Sequence, residues 1–381
     1  MSGYIRNAGN PAGIVLAILL LGLALLAAGC ARRADNDDTA TPTEEAVSEE
    51  SASGDDGRAE ASPEGTPSED APSEESASEE SEAGSGEESG EEVYTLDTKV
   101  MDVINDPVFG DYGRLIFPAD RTISQDLTLE DVGDILVWYN NVNPDRTVEI
   151  ANYLRDQAAS GQQIFYDIYT EEEKAEDPDK EDTGLFFFRG DPGAKTAIIN
   201  AGGGFMYVAA MHDSFPHALE LSKRGYNAFA LIYRPGAQTA CEDLARAIAF
   251  IQENADELQV DPTDYSLWGG SAGARMAAWL GSYGTSAFGE ARYPAPAAVI
   301  MQYTGLSEVT GSEPPTYACV GTSDGIASWR SMEDYISRIQ DNGTDAEIQV
   351  FDGLRHGFGL GEGTVAEGWI DEAVSFWERN M

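Results

Sequence analysis

The chain has 381 residues, of which 68 are acidic and 23 are basic, so its formal net charge is −45. A surface this acidic, without a basic patch, repels nucleic acid and anionic lipid headgroups and excludes nucleic acid as a partner. The acidic residues are unevenly spread, because residues 35–92 hold 22 of them and no aromatic residue. Residues 93–381 keep a net charge of −27 and are numerous enough for one large α/β domain with a substantial core.

The N-terminus has the order of a secretory signal. Arg6 precedes an uninterrupted apolar run over residues 11–29, which ends in small residues directly before Cys30. A cysteine after Ala-Gly resembles the lipobox of bacterial lipoproteins, in which the cysteine is lipidated and becomes the new N-terminus. The resemblance implies a lipoprotein signal peptide over residues 1–29 and an exported protein, anchored in the membrane at the bacterial cell surface. An uncleaved membrane helix is the alternative, since the 19 apolar residues are just long enough to span a bilayer.

Residues 30–92 follow as a predicted tether, rich in Ser, Glu, Gly and Pro. Between residues 35 and 92, Val47 is the only β-branched apolar residue. Such a segment cannot bury enough apolar surface to offset the entropy of ordering, so we expect it to be disordered. A flexible chain of this length spans about 40 Å on average, and its mutually repelling charges extend it. We therefore expect the domain to be held away from the membrane.

From residue 161 onward, apolar runs of strand length alternate with amphipathic runs of helical length. The predicted strands are Gln163–Tyr169, Leu185–Phe188, Ala197–Asn200, Ala228–Tyr233, Tyr265–Trp268, Ala298–Gln302, Thr316–Val320 and Glu347–Phe351. The predicted helices are Asp213–Arg224, Cys241–Asn254, Ala272–Leu280, Ser328–Asp341 and Thr364–Arg379. The alternation indicates a mostly parallel sheet with helices on both faces, and the closely spaced early strands favour antiparallel pairing. Ligands of such sheets bind at the carboxyl ends of the strands.

Residues 93–160 and the two cysteines of the domain leave alternatives open. The apolar spacing predicts helices over Leu129–Tyr139 and Thr147–Gln157, in a segment that is either an N-terminal extension or a small cap over a site. Cys241 and Cys319 could pair in an exported domain. Because Cys319 lies within a predicted buried strand, two free thiols are the favoured interpretation.

One serine stands where a predicted strand turns into a helix. Residues 269–273 read Gly-Gly-Ser-Ala-Gly, a G-x-S-x-G pattern centred on Ser271. Flanking glycines let the backbone turn sharply and expose the hydroxyl above the sheet. Residues 321–325 match the same pattern around Ser323. A serine nucleophile on such a turn comes after the loop that binds the oxyanion and before the catalytic acid and the catalytic histidine in the chain. Only Ser271 leaves room for all three.

A run of three glycines, residues 202–204, directly follows the predicted strand Ala197–Asn200. Without Cβ atoms, main-chain N–H groups can point into a site and stabilise a negatively charged oxygen, and losing one such donor costs about 10²–10³ in rate. The N–H of Ala272, the residue after the serine, is the expected second donor. A flexible glycine turn is the alternative.

The candidate base is His356, one of three histidines. It follows the predicted strand Glu347–Phe351, so its imidazole can reach the Ser271 hydroxyl and take its proton. His212 and His217 precede the nucleophile in the chain. We interpret both as imidazoles at a helix start or at the surface.

The candidate acid should follow a strand and lie between Ser271 and His356. Asp324 meets both conditions, and its carboxylate would orient the imidazole and stabilise its charged form. Asp345 and Asp352 are the alternatives. Asp352 lies only four residues before the histidine, on the same strand exit.

The glycine run and the order of these residues resemble esterases related to hormone-sensitive lipase and the acetyl and feruloyl esterases, over about residues 183–381. In those relatives the run reads His-Gly-Gly-Gly, and here Ala201 takes the place of the histidine. The resemblance implies the α/β-hydrolase fold, and it assigns the amides of Gly203 and Gly204 to the oxyanion hole. It also implies that Arg234 and Asp243 form a structural ion pair.

The implied chemistry is hydrolysis of carboxylic esters through an acyl-serine intermediate, with no cofactor and no metal. Only 53 positions separate Ser271 from Asp324, so no large lid is inserted there. An open site on a tether suits short acyl groups, such as acetyl, on carbohydrate or another small molecule. A peptidase on the same fold and a catalytically inactive surface binding protein are the alternatives. The sequence does not indicate the oligomeric state.

Overall fold

The computed structural model describes residues 93–381, and the predicted signal peptide, Cys30 and the tether lie outside them. Eight strands form a single sheet within the described residues. They are β1 (Phe165–Tyr166), β2 (Gly184–Phe188), β3 (Lys195–Asn200), β4 (Asn227–Ile232), β5 (Asp261–Gly270), β6 (Ala298–Gln302), β7 (Thr316–Gly321) and β8 (Ala346–Phe351). Each lies at a predicted strand, although β1 is only two residues long.

The strands lie side by side in the order β1-β2-β4-β3-β5-β6-β7-β8. β2 pairs antiparallel with both β1 and β4, and every other neighbouring pair is parallel. All residues of β2, β4, β6 and β7 are buried, as expected for strands with both faces covered. This is the α/β-hydrolase fold, and the predicted antiparallel start and parallel continuation are confirmed.

Helices cover the sheet. The α-helices within residues 93–381 are α1 (Val100–Ile104), α2 (Pro144–Ala159), α3 (Glu171–Glu176), α4 (Ala210–Asp213), α5 (Phe215–Lys223), α6 (Ala237–Glu253), α7 (Ala255–Leu258), α8 (Ala272–Tyr283), α9 (Trp329–Asp341) and α10 (Trp369–Arg379). The chain moves one way along the sheet from β3 to β4 and the other way from β4 to β8. Right-handed crossovers therefore place α5 on the face opposite to α6, α8 and α9. None of the described helices is both long and apolar enough to cross a membrane.

The change of direction places the ends of β3 and β5 at a topological switch point. These two strands are neighbours. Right-handed crossovers put the helices that follow them, α5 and α8, on opposite faces of the sheet. A crevice forms at such a point, outside the carboxyl ends of the strands. The glycine run follows β3 and Ser271 follows β5, so both begin at this crevice.

The predicted helix Leu129–Tyr139 is wrong, because the chain there forms only a short 3-10 turn over Val132–Ile135. Leu129 and Leu136 are buried, so the apolar spacing does mark a buried face. However, Trp138 has a φ of 77°, a left-handed conformation that a helix cannot contain. The segment has an irregular backbone, and its apolar side chains pack into the hydrophobic core of the domain.

The other predicted helices are present, with shifted ends. Thr147–Gln157 lies inside α2. The predicted helix Asp213–Arg224 is broken at Ser214 into α4 and α5. Thr364–Arg379 is shortened, since α10 begins at Trp369 after a series of tight turns. Pattern alone placed these helices but did not fix where each one begins.

Both cysteines of the domain are free, as the favoured interpretation held. Cys241 lies on α6 and Cys319 on β7, and both side chains are buried. Burial raises the pKa of each thiol, which keeps both protonated and unreactive.

His217 lies on the first turn of α5, as the helix-start interpretation holds, but its side chain is buried, so the surface alternative is wrong. It packs against Trp369 of α10, and neither ring nitrogen makes a normal hydrogen bond within the described chain. Burial lowers the pKa of His217 to about 4, although nearby Asp213 opposes the shift. The folded protein thus keeps the ring neutral, whereas the unfolded chain binds a proton below about pH 6.5. The stabilisation is present above that pH and is lost as pH falls towards 4.

Replacing this imidazole by a ring that cannot titrate should remove part of the acid sensitivity. Between pH 7 and pH 5, we expect the free energy of unfolding of the parent to fall by about 2 kcal/mol more than that of His217→Phe. Urea unfolding at the two pH values measures the difference. Phe215→Leu on the same helix is the control, since it removes apolar contacts without a proton equilibrium. Equal losses in the parent and in His217→Phe would contradict the prediction.

Candidate active site

Ser271 stands at the turn between β5 and α8. Its φ is 50° and its ψ is −118°, a strained backbone for a residue that has a side chain. The turn is also tight, because a Cβ on Gly273 would lie 2.0 Å from the carbonyl oxygen of Asn200. The Ser271 N–H donates to the carbonyl of Gln302 at 3.0 Å, which ties the turn to β6. The hydroxyl is thereby presented at the carboxyl edge of the sheet.

His356 and Asp324 converge on Ser271 from two other strand ends. His356 follows β8, and its Nε2 lies 3.1 Å from Ser271 Oγ. Its Nδ1 lies 2.8 Å from Asp324 Oδ2, after β7. The other oxygen of Asp324 accepts the N–H groups of Ile326 and Ala327, both at 2.8 Å. The Asp324 side chain is fully buried, so the carboxylate is fixed and shielded from water. An imidazole held in this way can take the proton of the hydroxyl.

The alternative acids, Asp345 and Asp352, and the second serine, Ser323, do not join this hydrogen-bonded chain. Asp345 pairs with the end of α10, and Asp352 accepts a hydrogen bond from a threonine; neither bonds to His356. Ser323 lies in an exposed turn, and its hydroxyl makes no hydrogen bond within the described residues. Across residues 93–381, no three His, Cys, Asp or Glu side chains are close enough together to hold a metal ion.

Arg234 and Asp243 form the ion pair that the resemblance implies. Arg234 Nη2 lies 2.7 Å from Asp243 Oδ1, and the Arg234 N–H donates to Oδ2 at 2.7 Å. The Tyr169 hydroxyl donates to the same carboxylate at 2.6 Å. The pair ties the end of β4 to α6, and neither residue lines the cleft at Ser271. Its role in this structure is therefore to hold elements together.

The glycine run after β3 lies against the turn at Ser271. Gly203 has a φ of 123°, and a Cβ there would lie 2.0 Å from the carbonyl oxygen of Tyr207, so only glycine can occupy the position. In the described chain, the N–H groups of Gly203, Gly204 and Ala272 donate to no protein acceptor. All three residues line the same cleft as Ser271. Unpaired donors at this position can stabilise a developing oxyanion.

The glycine loop is held by groups other than the histidine found in the esterases that it resembles. At that position, the carbonyl oxygen of Ala201 accepts the hydroxyl of Tyr233 at 2.7 Å. The carbonyl of Gly202 accepts the N–H of Ala209 at 3.0 Å, which closes the loop onto the start of α4. At this position the loop is therefore held by a tyrosine hydroxyl and by the main chain.

A buried carboxylate that the sequence did not single out, Asp213, completes this support. Its Oδ2 accepts the N–H of Gly202 at 2.8 Å and the hydroxyl of Tyr139 at 2.9 Å, and its Oδ1 accepts the hydroxyl of Tyr303. Burial raises the pKa of both tyrosines well above its ordinary value, so they remain protonated donors. Asp213 also packs beneath the nucleophile turn, because a Cβ on Gly270 would lie 2.4 Å from its carboxylate.

His212 lies on the short helix α4 and is buried against the loop that carries His356, so only the surface alternative of its interpretation is wrong. Its Nε2 lies 2.9 Å from the carbonyl oxygen of Gly357. Burial lowers the pKa of His212, and a carbonyl can only accept, so the neutral ring carries its proton on Nε2. Asn140 adds a second bond, from its Nδ2 to the carbonyl of His356 at 3.2 Å. Together they fix the position of the loop.

The site opens into a cleft of about 850 Å³. On the β3 side, Trp138, Phe205 and Met206 give it an apolar wall, and on the other side it is lined by the loops after β6 and β7. Of the six described non-glycine residues with positive φ, four line this cleft: Trp138, Phe205, Ser271 and Tyr303. Strained backbone of this kind concentrates at functional sites. The strained backbone and the catalytic side chains therefore lie in the same cleft.

Comparison with known proteins gives one family match. Residues 190–324 match the model of the BD-FAE family, a stretch that contains the glycine loop, Ser271 and Asp324 but not His356. No curated protein sequence matches the chain.

Several solved structures have a similar fold, each covering 52% of this chain at a TM-score of 0.45. They are a thermophilic esterase of Thermogutta terrifontis with bound propionate (21% identity, 89% of that chain), MGS-M1, an α/β-hydrolase from a deep-sea metagenome of the Medee basin (19%, 92%), and a sugar hydrolase from Lactococcus lactis (22%, 94%). Likenesses at this level carry no information about the reaction.

The role of Asp213 can be tested by Asp213→Asn. The amide would present a donor to groups that are themselves donors, so the glycine loop should lose its fixed position. We expect the second-order rate of Ser271 labelling by a fluorophosphonate to fall about 10²-fold, the usual effect of losing one oxyanion donor. Tyr139→Phe, which removes one donor and leaves the carboxylate, should cost less.

Asp371→Asn is the matched control, since this carboxylate lies on the surface and pairs with Arg224. It should label at the parental rate. Circular dichroism establishes whether each variant is folded. A folded Asp213→Asn that labels as fast as the parent would contradict the assignment.

Proposed function

We propose that the protein is a serine hydrolase that cleaves carboxylic esters through an acyl intermediate on Ser271. The observation that carries the proposal is the hydrogen-bonded chain from Ser271 Oγ to His356 and on to Asp324, at 3.1 and 2.8 Å. Ser271 occupies a strained strand-to-helix turn, and the N–H groups of Gly203, Gly204 and Ala272 line the same cleft without a protein acceptor in the described chain. The match of residues 190–324 to the BD-FAE family supports the same chemistry.

The reaction follows from the geometry in two halves. Ser271 Oγ attacks the ester carbonyl carbon while His356 Nε2 takes the hydroxyl proton, and the free amides stabilise the negative oxygen. The ester C–O bond then breaks, and the alcohol leaves with the proton from His356. Water attacks the acyl carbon in the second half and gives a proton to His356, which returns it to Ser271 as the carboxylic acid leaves. Asp324 stabilises the imidazolium in both halves.

We further propose that the substrates are short acyl esters, such as acetyl groups, of carbohydrate or another small polar alcohol. The cleft volume of about 850 Å³ leaves room for an alcohol much larger than acetyl. The lining on the β6–β7 side offers several hydroxyl groups that suit a polar alcohol: Thr304, Ser307, Ser328 and Ser331. We propose that residues 93–160 act as a small cap at the opposite edge, where Trp138 and Tyr139 line the cleft.

A fluorophosphonate probe and a series of p-nitrophenyl esters test the proposed activity. The parent should be labelled, and Ser271→Ala should not. We expect Asp324→Asn to lower kcat on p-nitrophenyl acetate by about 10⁴, because the imidazole loses the partner that sets its tautomer. Asp352→Asn, a carboxylate nearby in sequence that does not bond to His356, is the control and should retain activity. Failure of the parent to label or hydrolyse any ester would indicate a binding protein, and preference for long acyl chains would contradict the substrate class.

We also propose that the protein is exported and anchored in the membrane at the cell surface through a lipid on Cys30. This proposal rests on the sequence of the leader, since Cys30 lies outside the described residues.

Growth of a bacterial host with an alkyne-tagged fatty acid tests the anchor. The parent should carry the label and sediment with the membrane, because multiple acyl chains anchor stably. Cys30→Ala should carry no label, whereas Cys241→Ala, which removes a buried thiol of the domain, should be labelled as the parent is. An unlabelled parent that remains in the membrane with an intact leader would indicate a membrane helix in place of the lipid.

A further inference from the structure

One tryptophan of the N-terminal segment, Trp138, lines the cleft beside the nucleophile without being buried there. It is 44% exposed, whereas the core residues Trp268, Trp369 and Trp377 are at most 2% exposed. The indole N–H groups of those three donate to protein oxygens at 2.7, 3.1 and 2.8 Å. The indole N–H of Trp138 has no acceptor within residues 93–381. Unlike the core tryptophans, Trp138 therefore leaves much of its ring and its donor unengaged by the protein.

The backbone of Trp138 is strained. Its φ is 77°, in the left-handed region that glycine tolerates and that a bulky residue rarely adopts. This conformation costs free energy, and a half-exposed side chain regains only part of the stabilisation that full burial would supply. A strained residue that contributes only partly to the core indicates a role in the site that it lines.

Contacts on the protein side hold the indole in place. The hydroxyl of Tyr207 donates to the carbonyl of Val137 at 2.6 Å, which anchors the chain directly before Trp138. The ring of Trp138 also stacks on that of Tyr207, with 6.0 Å between the centroids and 20° between the planes. On the glycine loop, a Cβ at Gly204 would lie 3.0 Å from Cζ3 of the indole, so ring and loop are in close contact. A ring fixed in this way loses little side-chain entropy when a ligand binds to it.

The place of the indole suits the alcohol part of an ester. The N–H of Gly204 is one of the donors expected to bind the ester carbonyl oxygen, so a substrate held at Ser271 passes close to the ring. An acetyl group extends only one methyl group beyond the carbonyl carbon. An indole offers far more apolar surface than a methyl group can cover. A larger alcohol group is therefore needed to cover it.

The opposite side of the cleft has a different chemistry. Exposed hydroxyl groups line it at Ser307, Ser328 and Ser331, in the loops after β6 and β7. A closed sugar ring matches both sides, because its C–H groups make its faces apolar while hydroxyl groups project from its edge. An open-chain polyol has the hydroxyl groups without the apolar face, and an aromatic ring has the face without the hydroxyl groups. The combination therefore favours a ring that carries hydroxyl groups.

We propose that Trp138 is a specificity-determining residue, a platform on which the ring of a cyclic polyhydroxy alcohol, such as a pyranose, stacks while its ester is held at Ser271. This inference rests on the proposed esterase function. Trp138 lies outside residues 190–324, the stretch that matches the family model. The N-terminal segment thus adds to the site a substrate contact of its own, which selects ring alcohols over open-chain alcohols.

A matched pair of primary acetates tests the selection. Methyl 6-O-acetylglucopyranoside and 1-O-acetylglucitol carry the same acyl group on a primary carbon of a six-carbon polyol, and only the first is closed into a ring. Release of acid is followed in a pH-stat, and each kcat/KM is divided by the rate of alkaline hydrolysis of the same ester. The ratio of the two corrected values, ring to open chain, is the readout. We expect it to exceed 1 in the parent.

Variants at and beside the platform should separate stacking from support of the glycine loop. Trp138→Ala should lower the ratio about 5-fold, because the ring ester loses an apolar contact that the open-chain ester does not make. Trp138→Phe, which keeps an aromatic ring at the position, should retain most of the parental ratio. Val137→Ala is the matched control, since this neighbour is also exposed but does not line the cleft, and it should keep the parental ratio. An indole that only supported Gly204 would slow both esters equally and leave the ratio unchanged in Trp138→Ala.

The outcomes distinguish this inference from the esterase proposal. If the ring ester is hydrolysed no faster than the open-chain ester, or if Trp138→Ala keeps the parental ratio, the stacking platform is wrong while the esterase stands. The same conclusion follows if the parent hydrolyses p-nitrophenyl acetate but neither of the two polyol acetates. If the parent hydrolyses no ester and Ser271 does not react with a fluorophosphonate, both proposals fail. A ratio above 1 that falls in Trp138→Ala and is retained in Trp138→Phe supports the platform.

Discussion

One buried carboxylate, Asp213, holds the glycine loop in place beside the nucleophile turn. It accepts a main-chain N–H from the glycine loop and two tyrosine hydroxyls, one from the N-terminal segment and one from the end of β6. It also touches the nucleophile turn at Gly270. A buried carboxylate without partners would cost several kcal/mol, so its surroundings must supply donors. Meeting that requirement brings three separate stretches of chain to one point.

The catalytic groups meet because parallel strands share a carboxyl edge. β3, β5 and β7 deliver the glycine loop, Ser271 and Asp324 to this edge, and β8 delivers His356. The shared edge determines which groups are near one another, but it does not fix the exact distances between their atoms. That precision comes from contacts behind the site, where the Tyr303 ring packs against His356 at 5.0 Å and His212 bonds to the neighbouring carbonyl. The strained backbone of Ser271 and Tyr303 is tied to the sheet by main-chain hydrogen bonds, from the Ser271 N–H to the carbonyl of Gln302 and from the Tyr303 N–H to the carbonyl of Cys319.

Local pattern predicted much of this structure, and the failures have a common cause. The strands and the residues after them could be located because burial on both faces leaves continuous apolar runs, and because triad members follow strands. Asp213, His212 and His217 could not be assigned, since their partners lie far away in the chain, as Tyr303 lies 90 residues from Asp213. The helix predicted over Leu129–Tyr139 failed similarly, because its apolar residues are buried by tertiary packing around a left-handed Trp138. Sequence periodicity indicates that one face of a segment is buried, but it does not determine the backbone conformation of that segment.

The glycine loop has main-chain N–H groups without protein acceptors in the described chain, and several separate residues hold this loop in place. Free N–H groups are costly, and a mobile glycine loop would turn to pair them with its own carbonyls or with water. Here those carbonyls are already occupied, that of Ala201 by Tyr233 and that of Gly202 by Ala209. One end of the loop is fixed by Asp213, and the N–H groups of Gly203 and Gly204 line the cleft without a protein acceptor in the described chain. These N–H groups therefore remain available to an oxyanion that forms at Ser271.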